Sequence, residues 1–301
     1  MVRFVLIWCL AVLILTACER SSRTTSDSTE PAGQNTNERV FQVKGIVKAI
    51  HPERKEIEIK HEAIPDYMPG MTMPFDVKDT NQLAGLAPDQ PISFRLTVTD
   101  TEGWVDKIQP LGPAPEPAAG STGSSQPIRV VEPLQTGQPL PTYSLTNQFG
   151  KTITTTQYKG QALAITFLFT RCPFPTFCPR LANDFQETQQ KLLGLANGPT
   201  NWQLLTISFD PDFDQPAVLK AYAEAHHYEP AHWTFATAEL DRITAIGDLF
   251  GLAFWRDSTG SITHNMRTAV IDAHGNLQRV FEGKDWTSAE LVAEVVKAAR
   301  P

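Results

Sequence analysis

Two short stretches of this 301-residue chain carry residue types that can do chemistry. The first is YMPGMTMPF, residues 67–75, which holds Met68, Met71 and Met73. The whole chain has five methionines, one of them the initiator, so three of the other four fall in this window. The second is FLFTRCPFPTFCPRL, residues 167–181, which holds Cys172 and Cys178. Thioether sulfur is a soft ligand that takes Cu(I) and binds zinc, magnesium or calcium poorly. A close cysteine pair can be a disulfide, a redox couple or a dithiolate clamp for a soft metal.

Methionine also serves as a flexible core filler. Here Gly70 and Thr72 separate the sulfurs, where a core run would use Leu or Ile. In an extended MTMPF, Met71 and Met73 share a face, about 6.5 Å apart. In KEIEIKH, Ile57, Ile59 and His61 share a face opposite Glu56, Glu58 and Lys60. One neutral imidazole and two or three thioethers can therefore converge on one ion.

At the cysteines, a strand ends near Phe169 and helical spacing starts at CPRLANDFQETQQKLLG. Unpaired N–H groups and the dipole at a helix start stabilise a thiolate. Pro173 and Pro175 keep the connection non-helical, so a loop can fold the two sulfurs together. A purely structural disulfide closing so small a loop would stabilise little.

The elements that must position these groups are of two kinds. Segments VFQVKGIVKAI, KEIEIKHEAI, TMPFDV, PISFRLTVT and GWVDKIQPL predict five short strands over residues 40–110, a small all-β, OB-like barrel. Residues 111–127, LGPAPEPAAGSTGSSQP, read as a linker. From 128 to 301 strands alternate with helices: QALAITFLF and NWQLLTISFD as buried strands, QPAVLKAYAEAHH and SAELVAEVVKAA as helices, TAVIDAHGNLQRVFE as a hairpin. That pattern predicts an α/β sheet sandwich.

The first 18 residues hold Arg3, an apolar run from Phe4 to Ala17, and Cys18. The run is too short to span a bilayer and suits a signal-peptide core. Leu15-Thr16-Ala17-Cys18 resembles the lipobox of bacterial lipoproteins, which implies lipidation of Cys18; an ordinary signal or anchor with an incidental cysteine is the alternative. Residues 19–39 read as a polar tether. Such a chain is expected in the bacterial cell envelope, lipid-anchored to the membrane and facing the periplasm, where disulfides are permitted. Of four cysteines, Cys9 goes with the signal and Cys18 to lipid, leaving the 172/178 pair. A net charge of −7 and the lack of a basic cluster argue against nucleic acid as partner.

Residues 43–110 resemble the CusF-like periplasmic copper-binding domain, on His61 and MPGMTM followed by Phe75. The resemblance implies Cu(I) held by His61, Met71 and Met73. Its best-known members carry Trp where this chain has Met68, so Met68 is either a fourth ligand or a thioether cap. Most of 128–301 resembles the Sco/SenC family of thioredoxin-fold copper proteins, on TFLFTRCP…CPR, SFDPDFDQP and SITHNMRTAVIDAHG. That resemblance implies Cu(I) or Cu(II) at Cys172, Cys178 and His264, with Asp210 and Asp214 near the site or acting as helix caps. Five residues separate the cysteines where the common family pattern has three, so a two-residue bulge is expected. His226, His227 and His232 read as solvated residues at the end of an exposed helix, and Trp104 and Trp233 as packing residues.

The expected function is a membrane-tethered copper chaperone. By resemblance its recipient is the copper-site subunit of cytochrome c oxidase, or another periplasmic copper protein. The alternatives are a thiol–disulfide oxidoreductase using Cys172 and Cys178 as redox pair, a copper-resistance buffer, and a peroxiredoxin-like peroxidase. Tethering raises the effective concentration of one site at the other, so copper passing from barrel to cysteines is expected.

Overall fold

The computed structural model describes residues 38–113, 132–256 and 262–300. The signal and lipobox with Cys18, nearly all of the tether and most of the linker lie outside them. No helix among the described residues is long and apolar enough to cross a membrane.

Five strands close a barrel in the order β1-β2-β3-β5-β4 (β1 Arg39–His51, β2 Glu56–His61, β3 Thr72–Val77, β4 Pro91–Val98, β5 Gly103–Pro110). Only β3 and β5 run parallel. Closure leaves no free sheet edge. The burial of β2 alternates as its sequence does, with Ile57, Ile59 and His61 inside. Those inward residues join Val43, Val47, Phe75, Phe94 and Leu96 in the barrel core. Gly45 lies opposite His61 on β1, and it must be glycine: a Cβ there would stand 2.5 Å from Ile59 Cγ2 and 2.9 Å from the Lys60 carbonyl oxygen.

The second domain is built on a seven-stranded sheet in the order β14-β13-β8-β9-β10-β6-β7. Its strands are β6 Ser144–Asn147, β7 Thr152–Thr154, β8 Ala162–Leu168, β9 Trp202–Ser208, β10 Trp233–Thr237, β13 Arg267–Ile271 and β14 Leu277–Glu282. Strands β8, β9 and β10 are parallel, and β13 and β6 flank them antiparallel. Every residue of β8 is buried, as its apolar run predicts for a strand covered on both faces. Ala162 and Ala164 face the cluster holding Leu181, Phe185 and Leu291, from α1 (Cys178–Gly194) and α4 (Ser288–Ala298). Leu163, Ile165 and Phe167 face the cluster holding Ile243 and Ile246 of α3 (Leu240–Asp248). Helix α2 spans Pro216–Ala225, and a separate two-stranded ribbon pairs β11 Phe254–Arg256 with β12 Ile262–His264.

Alternation and apolar runs predict all five barrel strands, β8, β9, the β13–β14 hairpin, α1, α2 and α4. Strands β6, β7 and β10, helix α3 and the β11–β12 ribbon were not expected. These are three- to nine-residue elements whose periodicity is too short to read.

Candidate metal centres

The barrel centre follows from strand register. Ile59 pairs with Met73 across β2 and β3, and His61 N–H donates to the Met71 carbonyl at 2.9 Å. Met71 therefore stands directly across from His61, with Met73 on the diagonal, on one inward face. Met68 arrives by a different route. A tight turn with Asp66 at φ 58 ends in an Ile64–Met68 bridge, which buries Met68 to 4% exposure. Met73 is also buried, and Met71 is half-buried.

The wiring of His61 marks it out. Its Nδ1–H donates to the Glu62 carbonyl at 2.7 Å. That fixes the tautomer and leaves Nε2 with a lone pair. Nε2 is buried and has no hydrogen-bond partner. Burial also holds the imidazole pKa below its ordinary value, which keeps it neutral. An orphaned, neutral imidazole nitrogen beside thioethers is a donor set suited to Cu(I).

The second centre forms where β8 runs out. The chain continues through Phe169 and Thr170 into the cysteine loop, and Cys178 is the first residue of α1, with Pro179 next. Pro suits the first helical turn because its missing N–H would go unpaired there anyway. The loop is held from below by Asp214, which accepts from the Thr170 amide at 3.0 Å and from the hydroxyls of Thr170 and Ser208. Asp210 is fully buried and pairs with Arg171 at 2.7 Å and Arg256 at 2.5 Å. The N-cap of α2 is Gln215. The two aspartates are thus anchors of the cysteine loop and not helix caps, a correction to one of the expectations above.

His264 comes from the end of β12, and its Nε2 lies 3.7 Å from Cys178 Sγ. Its Nδ1 faces the Asn265 carbonyl at 2.8 Å, the same wiring as His61. Phe209 and Phe169 flank the ring, centroids 4.8 and 5.8 Å away. Both cysteines are free thiols. A hydrogen bond from the Cys178 thiol favours the Cys172 thiolate and holds its pKa well below the usual thiol range. Burial pushes Cys178 the other way. Cys172 is half-buried and Cys178 fully buried, so the accessible sulfur is also the one whose thiolate is favoured. The 3.7 Å between Cys178 Sγ and His264 Nε2 suits two ligands of one ion as well as a weak hydrogen bond. Among the described residues no three His, Cys, Asp or Glu side chains close into a metal cluster.

A family model described as SCO1/SenC matches residues 132–300, more than half of the chain. The chain belongs to the SCO1/SenC family. A second model, the copper binding periplasmic protein CusF, matches residues 40–110. The SCO1 protein homolog of Bacillus subtilis (strain 168) is 22% identical over 161 residues, covering 52% of this chain and 80% of that protein. The SCO2-like protein of Rickettsia felis (strain ATCC VR-1525 / URRWXCal2) is 28% identical over 145 residues, covering 46% and 67%. Among solved structures, a SCO1/SenC family lipoprotein from Bacillus anthracis str. Ames is 26% identical, covers 54% of this chain and 96% of its own, and has a TM-score of 0.48.

The SCO1/SenC domain and the CusF-type barrel belong to one compact unit, Thr36–Pro301. Sequence reasoning missed the residues that join them. Phe174, inside the five-residue stretch between the cysteines, is 1% exposed and meets Phe75 of the barrel edge-on at 5.7 Å. Burying such a ring contributes about 1.5–3 kcal/mol. Tyr67, stacked on Phe41, donates its hydroxyl to the Pro173 carbonyl at 3.2 Å. Thr263 donates to the Thr72 carbonyl at 3.3 Å, and Lys284 pairs with Asp76 at 2.5 Å. The only sequence signal was Phe174 itself, a large apolar residue between two prolines. Lys284 carried none.

The remaining expectations fare unevenly. Trp233 is fully buried, whereas Trp104 is partly exposed and lies under Lys78 Nζ, 3.3 Å from the ring centroid. Of the HHYEPAH histidines only His227 is exposed. His226 packs on Tyr222 and His232 stacks on Trp202 at 4.1 Å, because the chain turns back from α2 into β10 there.

Proposed function

We propose that this protein is a copper chaperone of the bacterial periplasm, anchored to the membrane through lipid on Cys18. The barrel holds Cu(I) on His61, Met71 and Met73, with Met68 beside them. The SCO1/SenC domain holds copper, as Cu(I) or Cu(II), on Cys172, Cys178 and His264. Copper is cargo here, and the recipient is the copper-site subunit of cytochrome c oxidase or another periplasmic copper protein, as family membership implies. The observation that carries this reading is the buried, unpartnered Nε2 of His61 near three thioethers, with His264 Nε2 3.7 Å from the Cys178 thiol in the second site. Two soft-donor sets in one chain favour one soft ion.

Copper stoichiometry with X-ray absorption tests it. The expected result is two coppers per chain with sulfur and nitrogen neighbours, falling to one in Cys172→Ala/Cys178→Ala. Zinc in preference to copper, or no loss in the double variant, would overturn it.

A second reading, thiol–disulfide oxidoreductase, is favoured by an accessible Cys172 whose thiolate is favoured, beside a buried Cys178 held toward the thiol. In that chemistry the Cys172 thiolate attacks a recipient disulfide, and Cys178 then resolves the mixed disulfide. A Cys178→Ser variant that traps a recipient would support it.

A further inference from the structure

Members of both donor sets line one space. A cavity of about 30 Å³ is walled on one side by Met68, Met71 and Met73 of the barrel and on the other by Cys172 and His264. Thr72 and Thr263 on its rim are joined by the hydrogen bond between the domains. A space of this size takes an ion and little else. Behind it the rings of His61, Phe75, Phe174, Phe177 and His264 follow one another at centroid spacings of 5.6, 5.7, 5.2 and 6.4 Å. Met71 and Cys172, half-buried on opposite walls, are each the least covered sulfur of their set.

Granting the copper reading of both centres, we infer that Cu(I) passes from barrel to cysteines inside the chain, across this cavity. Met71 is the exchange ligand and Phe174 the latch that holds the two walls of the cavity together. Cu(I) stays Cu(I) and no electron moves. Its bonds to the methionine sulfurs and His61 Nε2 break as bonds to Cys172 sulfur, Cys178 sulfur and His264 Nε2 form. Each thiol gives up its proton to water as its bond to copper forms. The direction follows from charge, since an anionic thiolate attracts the cation where a neutral thioether does not.

The latch has a defined seat. Phe174 lies over Gly103 of β5 so closely that a Cβ there would stand 2.5 Å from the ring's Cζ. Residue 103 must lack a side chain for the ring to lie down. The inter-cysteine stretch that is longer than the family pattern is what carries this ring to the barrel.

The test uses the intact chain with Cys172 and Cys178 first oxidised to a disulfide and one equivalent of Cu(I) loaded on the barrel. A phosphine then releases the thiols in the presence of excess bathocuproine disulfonate, a soluble Cu(I) chelator. Copper arriving at the cysteines is read by thiolate–copper absorption. In the wild type it is expected to arrive at a rate independent of protein and chelator concentration. Gly103→Val, which displaces the ring, and Phe174→Ala, which removes it, are expected to lose that resistance, so that the chelator takes most of the copper. Circular dichroism and direct titration of each site confirm that the variants fold and bind. Capture in transit in the wild type, or wild-type behaviour in both variants, overturns the internal route while leaving the chaperone reading intact. Failure of either site to take up Cu(I) in direct titration removes both.

Discussion

The two histidines show how a single hydrogen bond selects a role. Each spends Nδ1–H on the carbonyl of the following residue, Glu62 or Asn265, so that Nε2 is the atom presented. They differ in the sulfur beside them and in burial, His61 being buried and His264 half-buried. For His61 that sulfur is neutral and cannot ionise; for His264 it belongs to a thiol pair whose protonation is split. The split predicts unequal reactivity. At pH 7 iodoacetamide is expected to modify one thiol fast and the other slowly. Cys172→Ser is expected to abolish the fast phase, whereas Cys178→Ser retains it, because a serine hydroxyl still donates to the Cys172 sulfur. Mass spectrometry of the alkylated peptide reads the outcome, and a fast phase that survives in Cys172→Ser would reverse the assignment.

At the scale of elements, α1 does two jobs: its first residue is Cys178, and its middle packs on α4 and β8. Its Asp184 is poorly served. It lies 3.6 Å from Arg180 one turn back, its side chain is 18% exposed, and burial pushes its pKa up to about 6. A raised carboxylate pKa means that the fold prefers the neutral form. The penalty is therefore complete above about pH 6 and vanishes below the unfolded pKa, about 4. Asp184→Asn is expected to be more stable than wild type at pH 7.5 by roughly 1–3 kcal/mol, the lost Arg180 attraction offsetting part of the gain. The difference should close by pH 4. Thermal unfolding at the two pH values measures it, and an advantage that grows as pH falls would contradict the sign. The β11–β12 ribbon is the counterpart of α1, since it brings His264 to the helix start from 86 residues away.

For the whole molecule, the deciding contacts run between domains. Lys284 is 8% exposed, and its ammonium reaches Asp76 of β3. Removing one partner of a covered pair leaves a charge without compensation, whereas replacing the lysine stem with an apolar one removes that charge. Asp76→Ala is expected to destabilise the protein by about 2–4 kcal/mol, less than the full buried-pair cost because Asp76 is 34% exposed. Lys284→Met should stay within about 1 kcal/mol of wild type. Denaturant midpoints for both variants check this, and equal losses would mean that the pair acts only through charge.

What the sequence by itself determined is what depends on neighbours along the chain. Period-two alternation put Ile57, Ile59 and His61 on one face, and β2 has them there. Proline and helix signals put Cys172 and Cys178 in the turn before a helix, and α1 starts at Cys178. The three methionines pointed by residue type alone to the soft-ligand site proposed above. What only the tertiary structure decided is which groups meet across long separations. Nothing local in MPGMTM or CPFPTFC says that Met71 and Cys172 wall one cavity, that Phe174 lies on Gly103, or that Lys284 pairs with Asp76. Those contacts follow from how two separately legible domains pack, which depends on shape and on desolvation over whole surfaces and leaves no periodic trace in the chain.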